Sequence, residues 1–170
     1  MLFRSKRAEE GRALSLWGDA GWGDTVRRGK YDANHFSNDL VEACAGMIHD
    51  WQPRPAPTWV TFIPSLRHPD LVPTFARRLA AILGLPCVNA LTKVEERPPQ
   101  KEMQNSARQV LNLDGALAVA KDAVQPGPVI LVDDLVDSRW TLTVGAWLLR
   151  KSGSGAVFPV ALAQVTGFDE

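Results

Sequence analysis

The sequence predicts an α/β protein built on an open, mainly parallel β-sheet with helices on both faces and one long flexible loop. Three observations carry that prediction. Short runs of β-branched and aromatic residues alternate with amphipathic helical stretches from residue 58 onward. Val129, Ile130, Leu131 and Val132 form an unbroken apolar run, as a central parallel strand covered on both faces requires. Helical stretches also separate successive strands, which is the connection that parallel neighbours need.

The chain has 170 residues, of which 45% are hydrophobic, enough for one ordinary domain with a real core. It contains no apolar run of about 18 residues and begins MLFRSKRAEEGR, which lacks the apolar region of a secretory signal. The expectation is a cytoplasmic protein without a membrane partner. A formal net charge of zero gives no argument for a nucleic-acid-coating role for the molecule as a whole. Charge is uneven, however: residues 1–30 carry seven Lys or Arg against four acids. That basic leader reads either as a solvated arm or as a contact to DNA or RNA through Arg27, Arg28 and Lys30. Cys44 and Cys87 have no histidine at metal-ligand spacing and are expected to be buried free thiols.

Residues 1–35 are expected to be an irregular arm or linker, with Trp-Gly-Asp at Trp17 and again at Trp22, and residues 36–170 the domain proper. Phe36, Leu40, Cys44, Met47, Ile48 and Trp51 recur at helical steps, and the proline-rich connector QPRPAP ends that helix. Residues 58–64 read as a buried strand, followed by the polar turn Ser65-Leu66-Arg67-His68-Pro69. A helix is predicted over about 70–83, with Leu71, Phe75, Leu79 and Ile82 inward and Gly84 as its stop. Residues 87–91 read as a second strand. Residues 92–115 then form a long, poorly apolar segment with a Pro-Pro break, of the kind that is functional or mobile. A short strand at 116–119, the central strand at 129–132, a helix over about 141–151 and a last strand in VFPVALAQV complete the order. The helix is expected to bury Leu142, Gly145, Ala146 and Leu149 and to stop at Gly153.

The chemistry concentrates in VILVDDLVDSRWT, residues 129–141. In an open parallel sheet ligands bind at the carboxyl ends of strands, and phosphates favour the N-terminus of the next helix. Asp133 and Asp134 follow the apolar run directly; paired carboxylates there can accept hydrogen bonds from vicinal hydroxyls or hold magnesium through water. Asp137, Ser138 and Thr141 line the turn into the helix, where hydroxyls and loop amides can wrap a monophosphate and Asp137 can accept a proton. Helix capping alone accounts for Ser138 or Thr141, but not for the acidic pair.

VILVDDLVDSRWTL resembles the phosphoribosyl pyrophosphate (PRPP) motif of type I phosphoribosyltransferases (PRTases) at every position except Arg139, where the motif has glycine. Residues 97–119 are similar to a segment of ComF-type PRTase-like proteins, and residues 58–79 resemble that family's first strand, pyrophosphate loop and helix. A closer resemblance is to the PRTase-like domain at the C-terminus of some bacterial RecQ-type DNA helicases. WGDAGWGDTVRRGKY, TWVTFIPSLRHPDLVPTFARRLA and DDLVDSRWTLTV carry it, the last with the same arginine.

The resemblance implies a Rossmann-like type I PRTase fold and a PRPP site. Asp133 and Asp134 would meet the ribose hydroxyls and Mg2+, and the loop of Asp137, Ser138, Arg139, Trp140 and Thr141 would enclose the 5′-phosphate. Ser65, Leu66 and Arg67 would face the pyrophosphate, Asp137 would be the general acid/base, and Lys101, with Arg97 and Lys93, would close over the site on the long loop. Two functions follow. One is Mg-dependent phosphoribosyl transfer with pyrophosphate release, associated with DNA processing. The other is a non-catalytic module that binds a phosphoribosyl group or nucleic-acid phosphates beside a RecQ-type helicase or a competence or repair system. Arg139 bears on both, because glycine lets backbone approach phosphate while arginine brings a guanidinium. A homodimer is compatible with either function, and the Met1 start fits both a natural short protein and an excised domain.

Overall fold

A computed structural model describes residues 2–5, 8–93 and 117–165 of the chain. Among the described residues seven strands form, β1 Leu2–Ser5, β2 Ala8–Leu16, β3 Trp59–Phe62, β4 Leu91–Lys93, β5 Leu117–Val119, β6 Val129–Val136 and β7 Val157–Gln164. The α-helices are α1 Trp22–Arg28, α2 Asn38–Trp51, α3 Leu71–Leu83 and α4 Trp140–Lys151, and a π-helical turn, Gly29–Ala33, continues α1. The main sheet has the order β1-β2-β7-β6-β3, while β4 and β5 pair in a separate two-stranded sheet. Every neighbour in the main sheet is parallel except β1 and β2. The open, mainly parallel α/β sheet is therefore as predicted.

Strand periodicity of two sends alternate side chains to opposite faces. Ile130 and Val132 of β6 pack with Val60 and Phe62 of β3 against α2 and α3. Val129 and Leu131 pack with Trp59 of β3 and Val157 of β7 against α4. Both faces of the sheet centre are thus covered, which is why the β6 run is continuously apolar. Trp59 is fully buried and its indole N–H donates to the Gly127 carbonyl at 2.9 Å, so the ring is seated without an orphan donor.

The helices end where the sequence directs. Ser37 caps α2 by accepting from the Leu40 amide, and Gly84, at φ 72°, terminates α3 in the left-handed conformation. Leu71, Phe75 and Leu79 face inward as expected, but Ile82 is 53% exposed, because the buried stripe of α3 runs instead through Val72, Ala76 and Ala80. Of residues 87–91, expected as a strand, Cys87 makes a single parallel bridge to Val60 and the paired strand starts only at Leu91. No described helix is long and apolar enough to cross a membrane. Cys44 is fully buried and burial pushes its thiol up to about 12; Cys87 is half-buried, and both are free.

The larger departure lies at the start of the chain. Residues 8–16, expected to be irregular, form the nine-residue strand β2, paired in parallel with β7 from Arg12 opposite Val160 to Leu16 opposite Gln164. Gln164 is also opposite Val136 of β6, and the Trp17 amide donates to the Gln164 carbonyl at 2.9 Å. The carboxyl ends of β2, β7 and β6 therefore stand in one row. Residues 17–36 emerge from that row on the rim where an open α/β sheet places its ligands.

Candidate functional site

The strand β6 extends past the apolar run, so Asp133 and Asp134 lie within it and not beyond its end; Asp133 is opposite Ala161 of β7. Three residues, Asp137, Ser138 and Arg139, then separate β6 from α4. Asp133, Asp137, Ser138, Arg139 and Thr141 line a cavity of about 60 Å³ at the N-terminus of α4, closed behind by Leu142. The Ser138 hydroxyl accepts a long bond of 3.4 Å from the Trp140 amide. First-turn amides of a helix have no partner within the helix and, with the dipole, favour an anion. Trp140 begins α4 and is 36% exposed.

Arg139 adopts φ 64° and ψ −8°, the left-handed region that favours glycine. The backbone conformation expected of the motif glycine is thus kept while a guanidinium side chain is added. The turn is held by the Arg139 carbonyl, which accepts from both the amide and the hydroxyl of Thr143 at 2.9 Å. Arg139→Gly is expected to be neutral or to stabilise by up to about 1 kcal/mol, because a left-handed side-chain residue costs that order. Arg139→Val should lose about 2 kcal/mol, since a β-branched residue is more strained there. Urea midpoints of the two variants test the pair.

The adjacent strand β3 is parallel to β6, so the turn that follows it opens on the same rim. Ser65 and Leu66 line a second, open cavity of about 260 Å³ together with Arg77, Asn89 and Lys93. Arg67 is exposed. His68 is anchored structurally: its amide donates to the Ser65 hydroxyl at 3.2 Å, and its Nδ1 shares a hydrogen bond of 3.2 Å with Asn34 Oδ1. Arg97 and Lys101 lie outside the described residues.

Three residues that the sequence did not assign to this site come from the turn after α1. The Lys30 ammonium lies 3.0 Å from Asp134 Oδ2, with side chains only 16% and 10% exposed. Tyr31 packs edge-on against Trp17 and His68, and Asn34 holds the His68 ring. The turn is fixed from behind by Gly29, where a Cβ would stand 2.9 Å from Phe36 Cδ1 and 3.0 Å from the His35 carbonyl oxygen. The same geometry alters the reading of the basic leader. Arg27 and Arg28 both pair with Asp24 at 2.8 Å, so the cations nominated for nucleic acid each have a carboxylate partner within the protein.

Electrostatics separate the two aspartates. Burial, then the neighbouring Asp134 carboxylate, push the Asp133 carboxyl well above the usual carboxylate range, and its Oδ1 accepts from the Asp134 amide at 2.8 Å. Burial works against the charge of Lys30, yet the Asp134 carboxylate outweighs it and raises the ammonium above its ordinary value. A carboxyl with a raised pKa binds its proton more tightly folded than unfolded, so it subtracts stability as pH rises from the ordinary value of 3.8 through the folded value. Asp133→Asn does not titrate. Its stability relative to wild type should therefore increase with pH across that window and show no such gain below it, as read by urea midpoints at pH 3.5 and 7.

The magnesium expected at the pair fits these residues poorly. An ammonium already stands on Asp134, Asp133 is bonded to its neighbour's amide, and no group of three or more His, Cys, Asp or Glu that could hold a metal occurs among the described residues. The pair as arranged suits hydroxyl groups, which can donate to carboxylate oxygens without displacing Lys30.

No protein-family model and no curated protein matches the sequence. Solved structures do match the fold. The allosteric regulatory enzyme of purine biosynthesis aligns with a TM-score of 0.53 at 18% identity, covering 72% of this chain and 25% of that one. Orotate phosphoribosyltransferase from Aeropyrum pernix aligns at 0.50 and 18% identity, covering 81% and 64%. A hypothetical protein from Neisseria gonorrhoeae with bound ppGpp aligns at 0.51 and 16% identity, covering 94% and 78%. The chain thus spans a quarter of the first structure's length and just under two thirds of the second's. At such identities the likeness defines the architecture, that of a phosphoribosyltransferase-like fold.

Proposed function

We propose that this chain is a PRTase-like domain that binds PRPP and transfers its phosphoribosyl group to an acceptor with release of pyrophosphate, in association with DNA processing. The observation that supports it most directly is the cradle at the end of β6, where Asp133, Asp137, Ser138, Arg139 and Thr141 surround a small cavity at the N-terminus of α4. The loop amides and hydroxyls, with the Arg139 guanidinium, are groups that bind a 5′-phosphate. Asp133 and Asp134 take the ribose hydroxyls. Asp137 exchanges the proton of the acceptor as it attacks C1 and the C1–O bond to pyrophosphate breaks. Ser65, Leu66 and Arg67, on the neighbouring turn, meet the departing pyrophosphate. The link to DNA processing rests on the resemblance to the helicase-associated domain.

A second reading is a non-catalytic module that holds a phosphoribosyl ligand or nucleic-acid phosphate. Arg139 favours it, since a cation in the loop proposed to hold phosphate strengthens binding of ground state and transition state alike. Calorimetry with PRPP, combined with a pyrophosphate-release assay, separates the two. Heat with release supports transfer, heat without release supports the binding module, and no heat rejects the PRPP form of both. The ppGpp held by the Neisseria protein is a second probe for the binding module.

A further inference from the structure

The acidic pair carries a cation supplied by the chain itself. Lys30 reaches Asp134 from the turn after α1, at 3.0 Å, and both side chains are largely withdrawn from water. It is held there on several sides. Gly29 leaves no room for a side chain beside Phe36, and the residue after Lys30, Tyr31, although 60% exposed, meets the rings of Trp17 and His68 edge-on. The ammonium is thus not a surface charge that happens to touch a carboxylate. A divalent ion on Asp134 would have to expel a positive group that is fixed in place, and like charges in a poorly solvated site repel strongly.

We propose that Lys30 is the built-in counter-ion of the Asp133–Asp134 pair, standing where a divalent cation would otherwise bind, so that the pair accepts the vicinal hydroxyls of a sugar without a metal on the protein. The choice of a diol as ligand rests on the phosphoribosyl reading; the exclusion of the cation does not. Lys30 is then a positioning residue. It holds one oxygen of Asp134 at 3.0 Å and leaves the outer carboxylate lone pairs for hydroxyl donors.

Two titrations test this separately, with circular dichroism confirming that each variant is folded. In the first, Mn2+ alone is titrated and followed by electron paramagnetic resonance. Wild type should bind it weakly, Lys30→Met at least tenfold more tightly, and Lys30→Met with Asp134→Asn weakly again. Lys30→Gln serves in the same titration where Lys30→Met does not fold. Equal Mn2+ affinity in wild type and the neutral variant overturns the proposal. In the second, ribose 5-phosphate is titrated calorimetrically into wild type with chelator and then with Mg2+. Affinities within twofold of each other support a metal-free diol site, while binding that needs Mg2+ overturns it. Should ribose 5-phosphate bind under neither condition, the phosphoribosyl reading fails and the Mn2+ titration alone decides whether Lys30 holds the cation position.

Discussion

Replacing Asp133 and Asp134 together by asparagine is expected to weaken binding of a phosphoribosyl ligand at least a hundredfold while leaving the protein folded. Two carboxylates that accept from ribose hydroxyls contribute charge-assisted bonds of about 1.5–3 kcal/mol each, and their joint loss corresponds to that factor or more. The fold should be weakened but retained: asparagine keeps the shape, its Oδ1 can still accept from the residue 134 amide, and burial already disfavours the charge on Asp133, while loss of the Asp134 carboxylate leaves Lys30 uncompensated at a cost of about 3 kcal/mol. Calorimetry with PRPP measures the loss, and unchanged affinity in the double variant would remove the acidic pair from the site.

The second large effect concerns stability. Lys30→Met should cost about 3 kcal/mol at neutral pH, the order found when one member of a buried ion pair is removed and the other is left uncompensated. Adding Asp134→Asn should restore most of that loss, giving a strongly non-additive double-mutant cycle. The sign of the pH dependence follows from the ammonium. Its folded value is raised above 10.5, so its contribution is complete below that pH and is lost as pH rises through the folded value. The cost of Lys30→Met should therefore be level from pH 6 to 9 and fade in stronger alkali. Urea denaturation across that range reads both the magnitude and the fading, and additive single variants would show that the pair is only a surface contact.

Much of the sheet was legible because its strands and helices have strong patterns. The run from Val129 to Val132 is apolar on both faces, and Leu142, Gly145, Ala146 and Leu149 repeat at helical steps, so β6 and α4 could be read directly. The strand β2 was hidden for a physical reason. Its three fully buried positions are Gly11, Ala13 and Ser15, small residues that let β2 lie close to its cover but contribute little hydropathy. The alternation of small residues with Glu10, Arg12 and Leu14 was the signal available, and a search for apolar residues passes over it. The strand β5 was read at 116–119, but its pairing with β4 in a separate sheet was not, because three-residue strands carry almost no period from which to read a partner.

The loop proposed to hold phosphate was legible as a cluster because its residues are consecutive. Asp133, Asp137, Ser138, Arg139 and Thr141 do meet around one cavity. Lys30 was not legible, since no spacing rule links a lysine in the first thirty residues to an aspartate in β6, and its basic neighbours invited a nucleic-acid reading. Only the parallel pairing of β2 with β7, which delivers the turn to the rim, connects the two.

That pairing also fixes an order of assembly. During synthesis β2 and Lys30 precede their neighbours in space, β6 and β7, by about a hundred residues or more. A strand whose partner is so distant in sequence pays a loop-closure cost before any contact rewards it, so this pairing belongs to the late steps of folding. Until it forms, Asp134 has no ammonium beside it and the carboxyl rim lacks its N-terminal cover. The site is therefore completed only as β2 reaches β7, which makes ligand binding a report on that pairing and gives a bound ligand leverage over it.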